Sequence, residues 1–245
     1  MPNWTWNKIT CKKELADKLL TKEEDKFILD FNKIIAMPKT LKLVAGSIER
    51  DSVACYYHSL DEEGQKEIKN ILDNKTDWYY GNYYNKYRTL IEGGHKDISV
   101  INKLRENYDP NGYTTETFKK FDNIDELGKQ YIDNIKQHGC PHWYDWCTKH
   151  WGTKWNVWDD VHVSYNEEID EYEIEFSTAW SIPHGIFEKY FDMCKDGELN
   201  WIYEDEDYNG THILTKENGE LVDTVEYYEE EEFDDEEEVD GGLEV

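Results

Sequence analysis

Three features predict an α+β fold, an antiparallel sheet with helices on one face and a helical insertion interrupting it. The two ends of the chain alternate like strands, a long polar stretch between them has helical spacing, and 15% aromatic residues demand a ring-packed core. At 245 residues the chain suits one elaborate domain or two small ones. Its 38% hydrophobic and 33% charged residues would alone suggest loose packing. Against that, 10 Trp, 18 Tyr and 8 Phe are too many for a disordered chain.

At the N-terminus, N-W-T-W-N-K-I-T (residues 3–10) sets Trp4, Trp6 and Lys8 on one side and Thr5, Asn7 and Ile9 on the other, the pattern of a strand. Leu15, Leu19 and Leu20 stripe a short helix over residues 12–20. Phe27, Leu29 and Phe31 alternate through a second strand at 26–31, and Pro38 ends regular structure. Residues 1–38 are thus expected to be a strand-helix-strand piece of the sheet layer. Residues 39–138 form the insertion, with helices expected at 60–72, 98–107 and 124–137. Ser59 and Glu62 have capping-box spacing, and D-P-N-G at 109–112 is a turn. The run D-W-Y-Y-G-N-Y-Y-N-K-Y at 77–87 has two readings. Its rings pack on the main core, or they form an exposed patch for a partner.

Residues 139–225 complete the sheet layer. The stretch P-H-W-Y-D-W-C-T-K-H-W-G-T-K-W-N (141–156) holds four of the ten tryptophans. On a helix beginning near His142, Trp143, Trp146, Cys147, His150 and Trp151 fall on one stripe, and Gly152 suits the left-handed end. The period then switches to two. Val161, Val163 and Tyr165 pair across a turn with Tyr172, Ile174 and Phe176, giving a hairpin with one buried and one acidic face. Ser181 and Pro183 open a helix carrying Ile186, Phe187, Tyr190, Phe191 and Cys194, which Gly197 ends. Leu199, Trp201 and Tyr203 mark a strand, and turns at Asn209-Gly210 and Asn218-Gly219 make a meander. This order of elements fits a ferredoxin-like layer. Residues 226–245 read as a disordered acidic tail.

Several of these stretches together resemble a known family. They are M-P-N-W at 1–4, D-F-N-K-I-I at 30–35 with Met37-Pro38, W-Y-D-W at 143–146, W-G-T-K-W-N at 151–156, and F-S-T-A-W-S at 176–181. In that order they resemble the marks of the YubB-like family of phage and plasmid proteins with a ferredoxin-like domain. The marks leave residues 39–138 and the tail uncovered. Thr5 stands where relatives often carry cysteine, Ala36 where the family tends to have proline, and Ile182 where a second proline is usual. The family has no settled activity. The resemblance implies a fold and a mobile-element setting, and it marks Trp143, Trp146, Trp151, Gly152, Lys154, Trp155, Asn156 and Trp180 as structural motif residues.

Charge points to the partners. With 27 Lys+Arg against 55 Asp+Glu the formal net charge is −28, and the first 225 residues still carry −16, because the twelve acidic residues from Glu226 onward have no basic neighbour among them. Such a surface repels nucleic acid and anionic membranes and suits a basic protein. The expected function is that of a non-enzymatic accessory protein of a phage or other mobile element, acting by protein–protein contact. Its sharpest form is an acidic nucleic-acid mimic that inhibits a basic host defence or nucleic-acid-binding factor, with Glu171, Glu173, Glu175, Asp205, Glu206 and Asp207 as contact residues. The alternative is an enzyme or small-ligand binder with an aromatic pocket near Trp143, Trp155 and Trp180. Five scattered cysteines, no secretory leader and no membrane-length apolar run point to a reduced, cytoplasmic setting in the host cell. Cys140, His142, Cys147 and His150 have ligand chemistry but match no zinc module, so no metal or other cofactor is expected. Lys154 between two tryptophans suggests a cation–π lock, and Cys147 and Cys194 on apolar helix faces read as inert thiols.

Overall fold

The alternation at the N-terminus makes the central strand. In the computed structural model, β1 (Trp4–Lys12) turns Thr5, Asn7, Ile9 and Cys11 into the core and leaves Trp4, Trp6, Lys8, Thr10 and Lys12 on the open face. The structure describes residues 3–24, 26–74, 76–77, 81–92, 98–109, 118–157, 161–204 and 210–227. After β1 come α1 (Lys13–Leu19), β2 (Leu20–Glu23) and β3 (Lys26–Leu29), then α2 (Ser47–Ser59), α3 (Glu62–Asn74), β4 (Thr76–Asp77), β5 (Gly81–Asn82), α4 (Tyr83–Glu92) and α5 (Ile98–Glu106). The chain continues through α6 (Ile124–His138), α7 (Trp143–His150), β6 (His162–Asn166), β7 (Glu171–Ala179), α8 (His184–Met193), β8 (Asn200–Glu204), β9 (Gly210–Glu217) and β10 (Glu220–Tyr227).

The main sheet runs β10-β9-β8-β1-β7-β6, every neighbouring pair antiparallel. The inner order β8-β1-β7-β6, with α8 crossing from β7 to β8, is the ferredoxin-like arrangement, and β9 and β10 extend one edge. Asn7, fully buried on the core side of β1, would be costly without partners. It has three. Its Nδ2 donates to the Thr5 carbonyl at 2.9 Å and to Thr178 Oγ1 at 3.0 Å, and its Oδ1 accepts from Trp201 Nε1 at 3.1 Å. Trp201 then sits among Phe176, Phe187 and Tyr190 at 5.3 to 6.3 Å, all edge-on, an arrangement worth about 0.5–1.5 kcal/mol per ring pair beyond burial.

Four expectations need correcting. The strand at 26–31 does not join the main sheet. It pairs with β2 as a separate hairpin, and Phe31 leaves it in a short 3-10 turn because the Asp30 carboxylate takes the Asn32 N–H. Ser59 does not cap the following helix. It is the last residue of α2, its hydroxyl donates to the Tyr56 carbonyl, and Asp61 takes the Gly64 N–H instead. Ser181 is likewise no cap, since its Oγ donates to the Gly152 carbonyl at 2.6 Å and Pro183 occupies the cap position of α8. Finally, α2 is a full helix within a stretch whose sequence singled out only its neighbours. Of the tyrosine-rich run, Tyr83 and Tyr87 are fully buried in the core, while residues 78–80 lie outside the described residues. So do 110–112 of the expected turn, and the tail beyond Tyr227.

The insertion shares the main core. One apolar cluster runs from Ile9, Phe176 and Trp201 of the sheet through Trp146 and Trp151 to Leu127, Tyr131 and Val53 of the helices. Helices α2 and α6 touch at Gly128, where a Cβ would lie 1.9 Å from the Ser52 carbonyl oxygen. Gly128→Ala should therefore destabilise the protein by about 2–3 kcal/mol in urea unfolding, although alanine is the better helix former by about 1 kcal/mol. Gly197→Ala, at φ +73 with open space around it, should cost only about 1 kcal/mol. A Gly128→Ala protein as stable as wild type would contradict the close packing.

Candidate functional site

The W-G-T-K-W-N stretch is a clasp. Trp151 Nε1 donates to the Ile35 carbonyl at 2.9 Å, and Thr153 Oγ1 donates to the Ala179 carbonyl at 2.8 Å. Asn156 Oδ1 accepts from the Phe31 N–H at 3.0 Å while its Nδ2 donates to Asp30 Oδ1 at 2.6 Å. Gly152 has φ +83, and a Cβ on it would come within 2.7 Å of the His184 nitrogen, so both its geometry and its room demand glycine. The ammonium of Lys154 sits 4.4 Å from the Trp155 ring centre and 5.1 Å from that of Trp180, the expected cation–π lock. Trp180 is itself held at φ +78, uncommon for a bulky residue. Trp143 and Trp180 both stand edge-on to Tyr144, at 5.7 and 5.9 Å.

Glu171, Glu173 and Glu175 do line one open sheet face, with side chains 28–45% exposed. Each faces a lysine of β1. Lys8 reaches Glu173 at 3.1 Å and Glu175 at 3.6 Å, and Lys12 reaches Glu171 at 3.2 Å. Asp205, Glu206 and Asp207 lie outside the described residues. Cys140, His142, Cys147 and His150 do not converge. His150 stacks on Trp146 at 4.6 Å, His142 turns to Glu49, and no group of three or more potential ligands forms among the described residues. Burial pushes the thiol of Cys147 up to about 12 and that of Cys194 up to about 11, so both stay protonated and unreactive.

A different set of residues comes together where the start of α2, the middle of α4 and the start of α7 meet. There an open cleft of about 430 Å³ is lined by Gly46, Glu49, Arg50, Lys86, His142, Tyr144 and Asp145. Glu49 is 2% exposed, and Asp145 and His142 are also buried. Lys86 Nζ lies 3.0 Å from Glu49 Oε1 and 3.8 Å from Asp145 Oδ2, and 5.6 Å from each of the Tyr83 and Tyr87 ring centres. The Tyr87 hydroxyl donates to Glu49 Oε1, and the Tyr83 hydroxyl donates to Asp145 Oδ2 at 3.1 Å. His142 Nε2 approaches Glu49 Oε2 at 3.2 Å, and its Nδ1 has no hydrogen-bond partner among the described residues.

The two carboxylates are driven apart. Burial pushes Glu49 up, but His142, Lys86 and Tyr87 together outweigh it and hold its carboxyl at about 2. For Asp145 burial wins, and its carboxyl is raised above the ordinary range. Sequence reasoning named only His142 of this set, and as a metal candidate. Two signals were present: Lys86 is the one cation in a run of five tyrosines, and Asp145 is a charge between tryptophans on a buried helix.

Fold and cleft together define an α+β protein with a charged cleft where its helical insertion meets the sheet layer. No family model matches the chain, and no curated protein matches it. Among solved structures it is similar to the crystal structure of protein api92 from Yersinia pseudotuberculosis. The identity is 11%, over 94% of this chain and 99% of that one, with a TM-score of 0.33, too low to carry any argument. Among the described residues no helix is long and apolar enough to cross a membrane.

Glu49 gives the site a pH signature. A carboxyl lowered on folding adds stability that is present above its unfolded value of about 4.5 and is lost as the pH falls towards 2. Between those limits the wild type should lose roughly 3 kcal/mol more than Glu49→Gln in urea melts. Parallel curves for the two proteins would mean that Glu49 is not held ionised by its neighbours.

Proposed function

We propose that the protein binds a small molecule in the cleft formed by Glu49, Lys86, His142 and Asp145. One observation carries this reading. His142 is 1% exposed, its Nε2 meets Glu49 at 3.2 Å, and its Nδ1 lacks a hydrogen-bond partner among the described residues. A buried polar group left unmade costs about 1–3 kcal/mol, and such groups mark places where something else completes the bonding. The surroundings agree. Buried ion clusters are often less stabilising than apolar residues of the same volume, so two buried carboxylates with a lysine point to a role beyond stability. Concave sites with a few convergent polar groups are where small ligands bind.

Thermal unfolding against a panel of small anions, cations, sugars and nucleosides tests the proposal. A ligand at a hundred times its dissociation constant adds about 2.7 kcal/mol, which for a chain of this size raises Tm by roughly 5–11 °C. Ala45→Trp, which puts an indole at a cleft-lining position, should abolish the rise. A panel that leaves Tm unmoved would remove the reading.

The charge favours a second reading, that of a mobile-element accessory protein whose acidic surface occupies a basic, nucleic-acid-binding host protein. Its support is the net charge of −28, the −16 that remains without the tail, and the resemblance to the YubB-like family. The internal pairing of Glu171, Glu173 and Glu175 with Lys8 and Lys12 shifts weight from that row to the rest of the surface. Immobilised protein should hold basic nucleic-acid-binding proteins at about 50 mM salt, lose them several hundred-fold by about 200 mM, and yield them to excess duplex DNA. Retention that duplex DNA does not compete would sink the mimic.

A further inference from the structure

We infer that the cleft holds a small oxyanion, a carboxylate or phosphate group, between the N-terminus of α2, the guanidinium of Arg50 and the imidazole of His142. The inference rests on the ligand-binding reading above and adds the chemistry of the ligand.

The first support is the helix end. α2 is 13 residues long, and no side chain caps it. The residue before it is Gly46, at φ +140, and the space a Cβ would fill there is open. An N-terminus of this kind carries orphan N–H groups and about half a positive charge, the usual attraction for an anion. Gly46 lines the cleft, so this end of the helix borders it.

The second support is independent of the helix. His142, buried and lining the same cleft, has Nδ1 without a hydrogen-bond partner among the described residues, while its Nε2 faces Glu49. An imidazole nitrogen that carries its hydrogen can donate it to a group held in the cleft. An oxyanion accepts such a bond, and a cation does not.

The third is Arg50. In a chain with 55 acidic residues its guanidinium is exposed at the cleft and has no carboxylate partner among the described residues. A fork of donors left free in so acidic a protein fits an oxyanion from outside the chain.

The carboxylates of the wall do not block such a ligand. Glu49 Oε1 is taken by Lys86 and Tyr87 and its Oε2 faces His142, and Asp145 is bonded by Tyr83 and buried. The protein's long-range negative field slows an approaching anion. With a screening length of about 8 Å at physiological salt, the groups inside the cleft decide its affinity.

Titration of the full chain with sodium phosphate and, separately, sodium acetate at ionic strength matched with chloride reads this out by calorimetry and by Tm. We expect one saturable site for at least one of the two anions. Phosphate alone would identify a phosphate group, acetate alone a carboxylate, and both the shared chemistry. Arg50→Ala, at an exposed position where the fold is not at risk, should weaken the binding about tenfold, and Arg50→Lys less. Saturation unchanged by Arg50→Ala would place the anion elsewhere and overturn the inference. If neither anion saturates while a neutral or cationic ligand raises Tm, the oxyanion is wrong and the cleft reading stands. If no class of ligand acts, both fall.

Discussion

A chain that leaves a helix for a sheet without a strand of its own must still satisfy its backbone, and residues 151–156 do this for several distant segments at once. The Ile35 carbonyl, the Phe31 N–H and the Ala179 carbonyl are each bonded by a side chain of this stretch, Trp151, Asn156 and Thr153 respectively. Gly152 adds the Ser181 hydroxyl and close contact with the start of α8. At about 1 kcal/mol net per bond the direct stabilisation is a few kcal/mol, a large share of what a domain has. The greater effect is placement. The clasp fixes where α7 ends, hence where His142 and Asp145 at its start meet α2 and α4.

The charged cleft depends on that placement because its members come from three helices. Two buried carboxylates would repel each other and lose hydration unless each oxygen found a donor. Lys86 between Tyr83 and Tyr87 answers part of this, since the two rings hold its ammonium as well as supplying hydroxyls to Glu49 and Asp145. The outcome is asymmetric. Glu49 takes most of the donors and stays ionised, and Asp145 is left the more burdened by burial. His142 meets Glu49 through Nε2 and keeps Nδ1 without a hydrogen-bond partner among the described residues, which is why the cluster reads as a site and not only as a strut.

Periodicity made the sheet layer legible. Strands β6 and β7, the stripe of α8 and the final meander follow from period two, period 3.6 and Asn218-Gly219, whose φ values of +52 and +80 are those the tight turn requires. Local pattern said nothing about which sheet a strand joins, and so β3 was placed in the main sheet although it folds back on β2. Polar side chains near helix ends were ambiguous for a similar reason. Ser59, Asp61 and Ser181 all have partners within reach, and only tertiary geometry chooses among them. The cleft was the least legible feature, because Glu49, Lys86 and His142 are separated by tens of residues and none has a motif. What the sequence does contain is the misfit of Lys86 and Asp145 among aromatic neighbours, a cue to burial with a partner.

Acidity and the cleft act at different ranges, and this decides how far one can explain the other. The surface charge works over a Debye length, is weakened by salt, and along β7 is partly cancelled by Lys8 and Lys12. Inside the cleft the groups lie 3–4 Å apart and are shielded from water, so their interactions survive where the surface field fades. An acidic exterior therefore does not dictate an acidic site. Glu49, Asp145, Lys86 and Arg50 give the cleft as many basic as acidic side chains, and Arg50 has no carboxylate partner among the described residues. That local balance, and not the total, is what a ligand at contact distance experiences.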